Sequence, residues 1–169
     1  MSGVAETTGA APEAVLAQLS DIAERVLARC RAKGASQAEV GLNQDRGLAV
    51  NVRMGEVETL EYTHDRGLSL TVFFDQRKGS ASTADLDPAS IETTIEQACA
   101  IARYTEADPF AGLADAERMA TEFPDLDQWH PWEISADQAI DIALRCEQAG
   151  RDRDPRISNS DGASLSSGR

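Results

Sequence analysis

Between Ala38 and Ala84 the apolar residues of this chain recur at every second position. Leu48, Val50, Val52 and Met54 alternate with Ala49, Asn51 and Arg53; further on, Leu68, Leu70, Val72 and Phe74 alternate with Ser69, Thr71 and Phe73. A period of two turns one side of an extended chain to a buried face and the other to solvent, so these stretches predict half-buried strands. The interruptions are short and rich in turn residues: DRG at 45–47, MGE at 54–56, DRG again at 65–67 and DQRKG at 75–79. A parallel crossover needs a dozen residues or more, so strands joined this tightly run antiparallel, as a meander. DRGLAV at 45–50 returns as DRGLSL at 65–70, as expected if two alternate strands are entered through the same kind of turn. Gly47 and Gly67 are then expected at positive φ, where a β-carbon is costly, with Gly55 and Gly79 as the remaining turn glycines.

Residues 77–83, RKGSAST, raise the alternative of a phosphate cradle. That loop needs a glycine five residues before a Gly-Lys pair and a hydroxyl residue after the lysine, so that consecutive amides fold around phosphates. Here Lys78 precedes Gly79 and the nearest upstream glycine is Gly67. The stretch reads instead as the close of a turn before a last strand, SASTADL.

Helical periodicity brackets the meander. PEAVLAQLSDIAERVLARCRAKG places Val15, Leu19, Ile22, Val26 and Cys30 on one face, widened by Leu16, Ala23 and Leu27. Pro12 suits its first turn, basic residues its last, and Gly34 its stop. Asp87 can cap a helix that opens at Pro88 and buries Ile91, Ile95, Ala98 and Ala102. A third helix opens with a capping box, Ser135 with Gln138. Between these two, residues 104–134 hold three prolines and scattered aromatics, a loop long enough to be functional or to wrap the surface. The last stretch reads as a charged break, a strand, an SDG turn and a second strand with no partner in view. The fold class is α+β, an antiparallel β-meander flanked by helices. Residues 1–11 are expected to be disordered, 12–150 to form the α+β domain, and 151–169 to begin a following, truncated β region.

Aromatics make up only 5% of the 169 residues, so the core must come from Val, Leu, Ile and Ala. The formal charge of −13 repels phosphate backbones and anionic membranes, and no basic stripe offsets it. Direct nucleic-acid binding and membrane attachment are not expected. Cys30, Cys99 and Cys146 lie far apart, each on the apolar stripe or near the end of a predicted helix; an odd number without paired spacing fits free, buried thiols in a reducing compartment. No apolar run approaches membrane-spanning length and the first residues lack a signal-peptide pattern, so a cytoplasmic location is expected.

The chemistry-bearing residues do not converge. His64 is followed by Asp65, without the further histidines that a metal site requires, and reads as a strand-end residue in a turn. His130 sits in WHPWE, where a proline separates it from Glu133 and where packing beside two tryptophans is the better reading. No His-Glu-x-x-His, Cys-x-x-Cys or serine-triad arrangement occurs, so no catalytic and no metal-binding residue is assigned. The positive signal is the sheet: an uncovered edge strand accepts an extended peptide through main-chain hydrogen bonds. Residues 56–62 alternate poorly, with Glu58 on the side of Leu60 and Tyr62, which suits an edge or interface strand. Glu58, Leu60 and Tyr62 are therefore the candidate peptide-pairing residues.

The stretches RMGEVETLEYTHDRGLSLTVFFDQRKGSASTADLDPASI, ARYTEADPFAGLAD and DLDQWHPWEIS strongly resemble the N-terminal region of the PmbA, or TldE, branch of the TldD/PmbA family, over about residues 12–169. The resemblance implies an α+β domain of the TldD/PmbA N-terminal type. It also implies a cytoplasmic bacterial protein paired with a TldD subunit, as a heterodimer or larger assembly, in a metalloprotease that acts on unfolded or small peptides such as antitoxins and microcin precursors. In that family TldD carries the zinc, through a His-Glu-x-x-x-His motif and a later cysteine. The PmbA branch lacks that motif, so no cofactor is expected in this chain. The N-terminal region would help to wall an internal chamber, where peptides pair with sheet edges. An older family label, modulator of DNA gyrase, leaves a second possibility, a non-proteolytic regulatory module tied to gyrase or toxin systems. A third, weaker one is a hydrolase using His64 or His130.

Overall fold

The computed structural model describes residues 12–169; the stretch 1–11, expected to be disordered, lies outside the described residues. In chain order the elements are α1 (Pro12–Ala32), β1 (Gln37–Arg53), β2 (Glu56–Phe74), β3 (Arg77–Thr83), α2 (Pro88–Tyr104), a single 3-10 turn (Ala116–Arg118), α3 (Ala136–Arg151) and β4 (Ala163–Gly168). The four strands form one sheet in the order β3-β2-β1-β4, an antiparallel sheet with helices, as the period-two stretches predict.

The helix ends follow local chemistry. Gly34, at φ 91, closes α1: the N–H of Ala35 donates to the carbonyl of Cys30 and that of Gly34 to the carbonyl of Arg31, the paired bonds of a Schellman stop. Ser135 and Gln138 cap α3 reciprocally. Asp87 stands at the cap position before Pro88, but its side chain makes no capping bond. Asp85 organises that turn, accepting from the Asp87 N–H and the Ser90 hydroxyl.

Two of the four expected turns are absent. β1 and β2 run without a break through DRG 45–47 and DRG 65–67, so the only tight reversals of the meander are at Met54–Gly55 and Asp75–Gln76. Met54 and Gly55 have φ of 53 and 83, the left-handed pair that matches the twist of a two-residue hairpin. Gly47 and Gly67 are not at positive φ; the reason for glycine there is room between strands. A β-carbon on Gly47 would run into the Thr63 hydroxyl, and one on Gly67 would lie 2.8 Å from Asn43 Oδ1. Gly79 likewise lies inside β3 rather than in a turn, and a β-carbon there would strike the Ala98 carbonyl and the Ala102 backbone of α2.

The chain divides into two compact units, and β1 and β2 contribute to both. The first holds the residues up to Asn43 and Arg66–Met119. Here Leu68, Leu70 and Val72 of β2 pack with Ile22, Val26 and Cys30 of α1 and Ile95, Ala98, Cys99 and Ala102 of α2. Across the α1–α2 surface Glu92 accepts from Arg29 (3.0 Å) and lies 2.9 Å from Lys33 Nζ. Those two hydrogen-bonded cations hold its carboxyl far below the ordinary 4.5, at about 2. Burial pushes the Cys30 thiol up to about 11, as fits a packed hydrophobe.

The second unit comprises Gln44–Asp65 and Ala120–Arg169. Leu48, Val50 and Val52 of β1 are buried with Ala139 and Ala143 of α3. β4, the strand left without a partner in the sequence reading, pairs antiparallel with β1 from Gly47↔Gly168 to Val52↔Ala163. Residues 155–162, where a strand was expected first, are irregular. Gly162, at φ 100, is pressed against the Val52 carbonyl, a position no side chain could share. Cys146, expected to be buried, is exposed on α3.

Candidate functional site

β3 reaches β2 only from Leu68 to Phe74. Residues 56–65, the part of β2 in the second unit, therefore have β1 on one side and no strand on the other among the described residues. All ten are exposed. Their outward N–H and C=O groups form an unpaired extended edge, the arrangement that accepts another strand.

The register along this edge changes once. The two-residue turn sets Arg53 opposite Glu56, and the Asn51 amide donates to Glu58 Oε2 (2.6 Å) in that same register. Gly47, however, faces Thr63, one residue out of step. One extra residue of β2 between Glu58 and Thr63, a β-bulge, accounts for the shift. This is the physical source of the poor alternation over 56–62. Glu56 and Glu58 stand opposite Arg53 and Asn51, Asp65 shares the face of Thr63 opposite Gly47, and Val57 lies on the face of Val52. Tyr62 is 71% exposed, Val57 and Leu60 just under half.

The hairpin tip that starts this edge is anchored by a residue the sequence reading missed. Glu147 of α3, only 4% exposed, takes the Met54 N–H on Oε1 (2.6 Å) and the Gly55 N–H on Oε2 (2.8 Å). Burial opposes its ionisation, but these two bonds, a third from Ser160 and the charge of Arg151 outweigh it, so its carboxyl titrates below the ordinary range. A signal was present: Glu147 continues the buried stripe of Ala139 and Ala143 at a spacing of four, where an acid needs a partner.

The other candidates do not assemble into a site. His64 lies inside β2, not in a turn, and is exposed. His130 is exposed rather than packed, its Nε2 2.7 Å from the Asp127 carbonyl, and both neighbouring tryptophans are about half exposed. RKGSAST is an edge strand whose residues pair on one side with β2, from Phe74↔Arg77 to Leu68↔Thr83, rather than a loop folded into a phosphate cradle. Among the described residues no three His, Cys, Asp or Glu side chains converge to hold a metal ion, so the donors present do not fit a zinc site. No described helix is long and apolar enough to cross a membrane.

Comparison with known proteins agrees with the fold. Residues 38–102 match a family model described as PmbA/TldA metallopeptidase domain 1. The chain is 48% identical over 130 residues to metalloprotease PmbA of Escherichia coli O157:H7, and 44% identical over 135 residues to a PmbA homologue of Haemophilus influenzae. Those alignments cover 77% and 80% of this chain but only 29% and 30% of the relatives. Among solved structures, a candidate modulator of DNA gyrase from Bacteroides thetaiotaomicron superposes with a TM-score of 0.74 at 25% identity, over 89% of this chain and 34% of that one. TldE from Thermococcus kodakarensis superposes with a TM-score of 0.66 at 17% identity, over 87% and 32%, and shares the fold. With an antiparallel sheet, its flanking helices and curated relatives all in agreement, the chain belongs to the PmbA/TldD metallopeptidase family and carries the match to its first domain.

Proposed function

We propose that this chain is the non-catalytic part of a PmbA-type subunit in a zinc protease. It helps to form the chamber and binds unfolded or small peptides, of the antitoxin or microcin-precursor kind, by strand addition. The observation that supports this most directly is the unpaired edge at residues 56–65, held at its tip by Glu147. Main-chain pairing suits a protease acting on unfolded chains, because it recognises extended backbone whatever its sequence. The metal donors missing among the described residues would come from a TldD partner in the cytoplasm. The test is co-purification with TldD followed by cleavage of an unfolded peptide. Activity is expected only in the complex, and a chelator should abolish it. Leu60→Pro removes a donor from the edge and should slow cleavage in an assembled complex. An unchanged rate there would exclude this strand.

A second reading, a regulatory module acting on gyrase or toxin systems without proteolysis, draws on the name of the Bacteroides neighbour. The charge of −13 weighs against direct DNA contact. Retained DNA binding at physiological salt, with no cleavage in the TldD complex, would favour it.

A further inference from the structure

We propose that the open edge of β2 selects extended peptides rich in basic residues. This rests on the strand-addition reading above and adds a substrate class to it. The exposed edge carries four carboxylates, Glu56, Glu58, Glu61 and Asp65, interspersed with the apolar Val57, Leu60 and Tyr62. Residues 56–65 contain no Lys or Arg, and among the described residues Glu56, Glu61 and Asp65 form no ion pair; Glu58 only accepts the Asn51 amide. The carboxylates are thus exposed and without an ion-pair partner beside an unsatisfied backbone. A strand added here lies about 4.8 Å away, and its side chains alternate between the two faces of the sheet. Lysine or arginine side chains of such a strand would meet the carboxylates, and its apolar side chains would cover the apolar residues among them. A second copy of this chain is a poor occupant, because pairing edge to edge sets carboxylates against carboxylates. Acidic peptides are rejected for the same reason, and a cationic one gains both affinity and encounter rate.

The test measures binding of labelled peptides to this chain by fluorescence anisotropy. The peptides, of roughly nine residues, are identical except at alternate positions, which carry lysine, glutamine or glutamate between valine and threonine. A fourth is the lysine peptide N-methylated at alternate amides, so that it cannot pair. The lysine peptide should bind roughly tenfold tighter than the glutamine one at low salt, with most of that difference lost near 1 M salt. The glutamate peptide should bind weakest, and N-methylation should abolish binding. The combined variant Glu56→Gln, Glu58→Gln, Glu61→Gln, Asp65→Asn should erase the order among the three. Equal binding of all three peptides, still lost on N-methylation, would overturn charge selection and leave strand addition standing. Binding that survives N-methylation, or no binding by any peptide, would overturn both.

Discussion

The two units use the same sheet differently. In the first, branched residues of β2 lie beneath two helices, and α1 and α2 present Ile22, Val26 and Ile95 to Leu68, Leu70 and Val72. In the second, a single helix faces Leu48, Val50 and Val52 with Ala139, Ala143 and a buried carboxylate, Glu147. Burial of large apolar side chains dominates stability, so the first unit is the more firmly held. The second depends more on one directional polar anchor, which fixes the hairpin tip without filling volume. The open edge proposed to take peptides belongs to this second unit, in keeping with the tendency of binding elements to come from less stable parts of a fold.

The sharpest way to break this contrast is at the glycines. Gly79→Val in the first unit drives a side chain into the backbone of α2, which cannot swing aside, and should cost roughly 3 kcal/mol or more in urea unfolding. Gly47→Ala in the second meets only the Thr63 side chain, which can rotate, and should cost clearly less. Equal costs would remove the distinction between close helix packing and strand spacing.

Next in size is the core. Leu70→Ala, beneath two helices, should destabilise by about 2–5 kcal/mol. Val50→Ala loses fewer atoms beneath the alanines of α3 and should cost less, with its loss of amide exchange protection confined to the second unit. Glu147→Gln should follow, since an amide offers one oxygen where two backbone donors need acceptors. Faster exchange at Met54 and Gly55, with the first unit unaltered, is the expected readout; unchanged exchange would show that the tip holds itself.

The smallest effect is electrostatic and belongs to the first unit. Glu92 titrates below its ordinary 4.5, at about 2, so its pairing with Arg29 and Lys33 is fully present above pH 4.5 and is lost as pH falls toward 2. The pair is partly exposed, so the gain over Glu92→Gln should be small and salt-sensitive. Thermal melts of both proteins should differ slightly at pH 6 and converge near pH 2.

Local chemistry alone announced the stop at Gly34, the start at Pro88 and the box at Ser135, because each depends on residues within one helical turn. The period of two likewise fixed the antiparallel class, since short connections leave no room for a crossover. The DRG repeats misled: the same glycine that frees a turn also makes space in a strand, and only the residue across the ladder, Thr63 for Gly47 or Asn43 for Gly67, tells the two apart. The partner of β4, the register shift between Glu58 and Thr63, and the task of Glu147 are likewise decided by groups distant in the chain. What the sequence determined by itself was the kind of each element and the acidic, apolar makeup of residues 56–65. The tertiary structure decided that residues 56–65 keep one side unpaired and that their register shifts once, because register depends on long-range pairing and a one-residue shift exchanges the two faces of a strand.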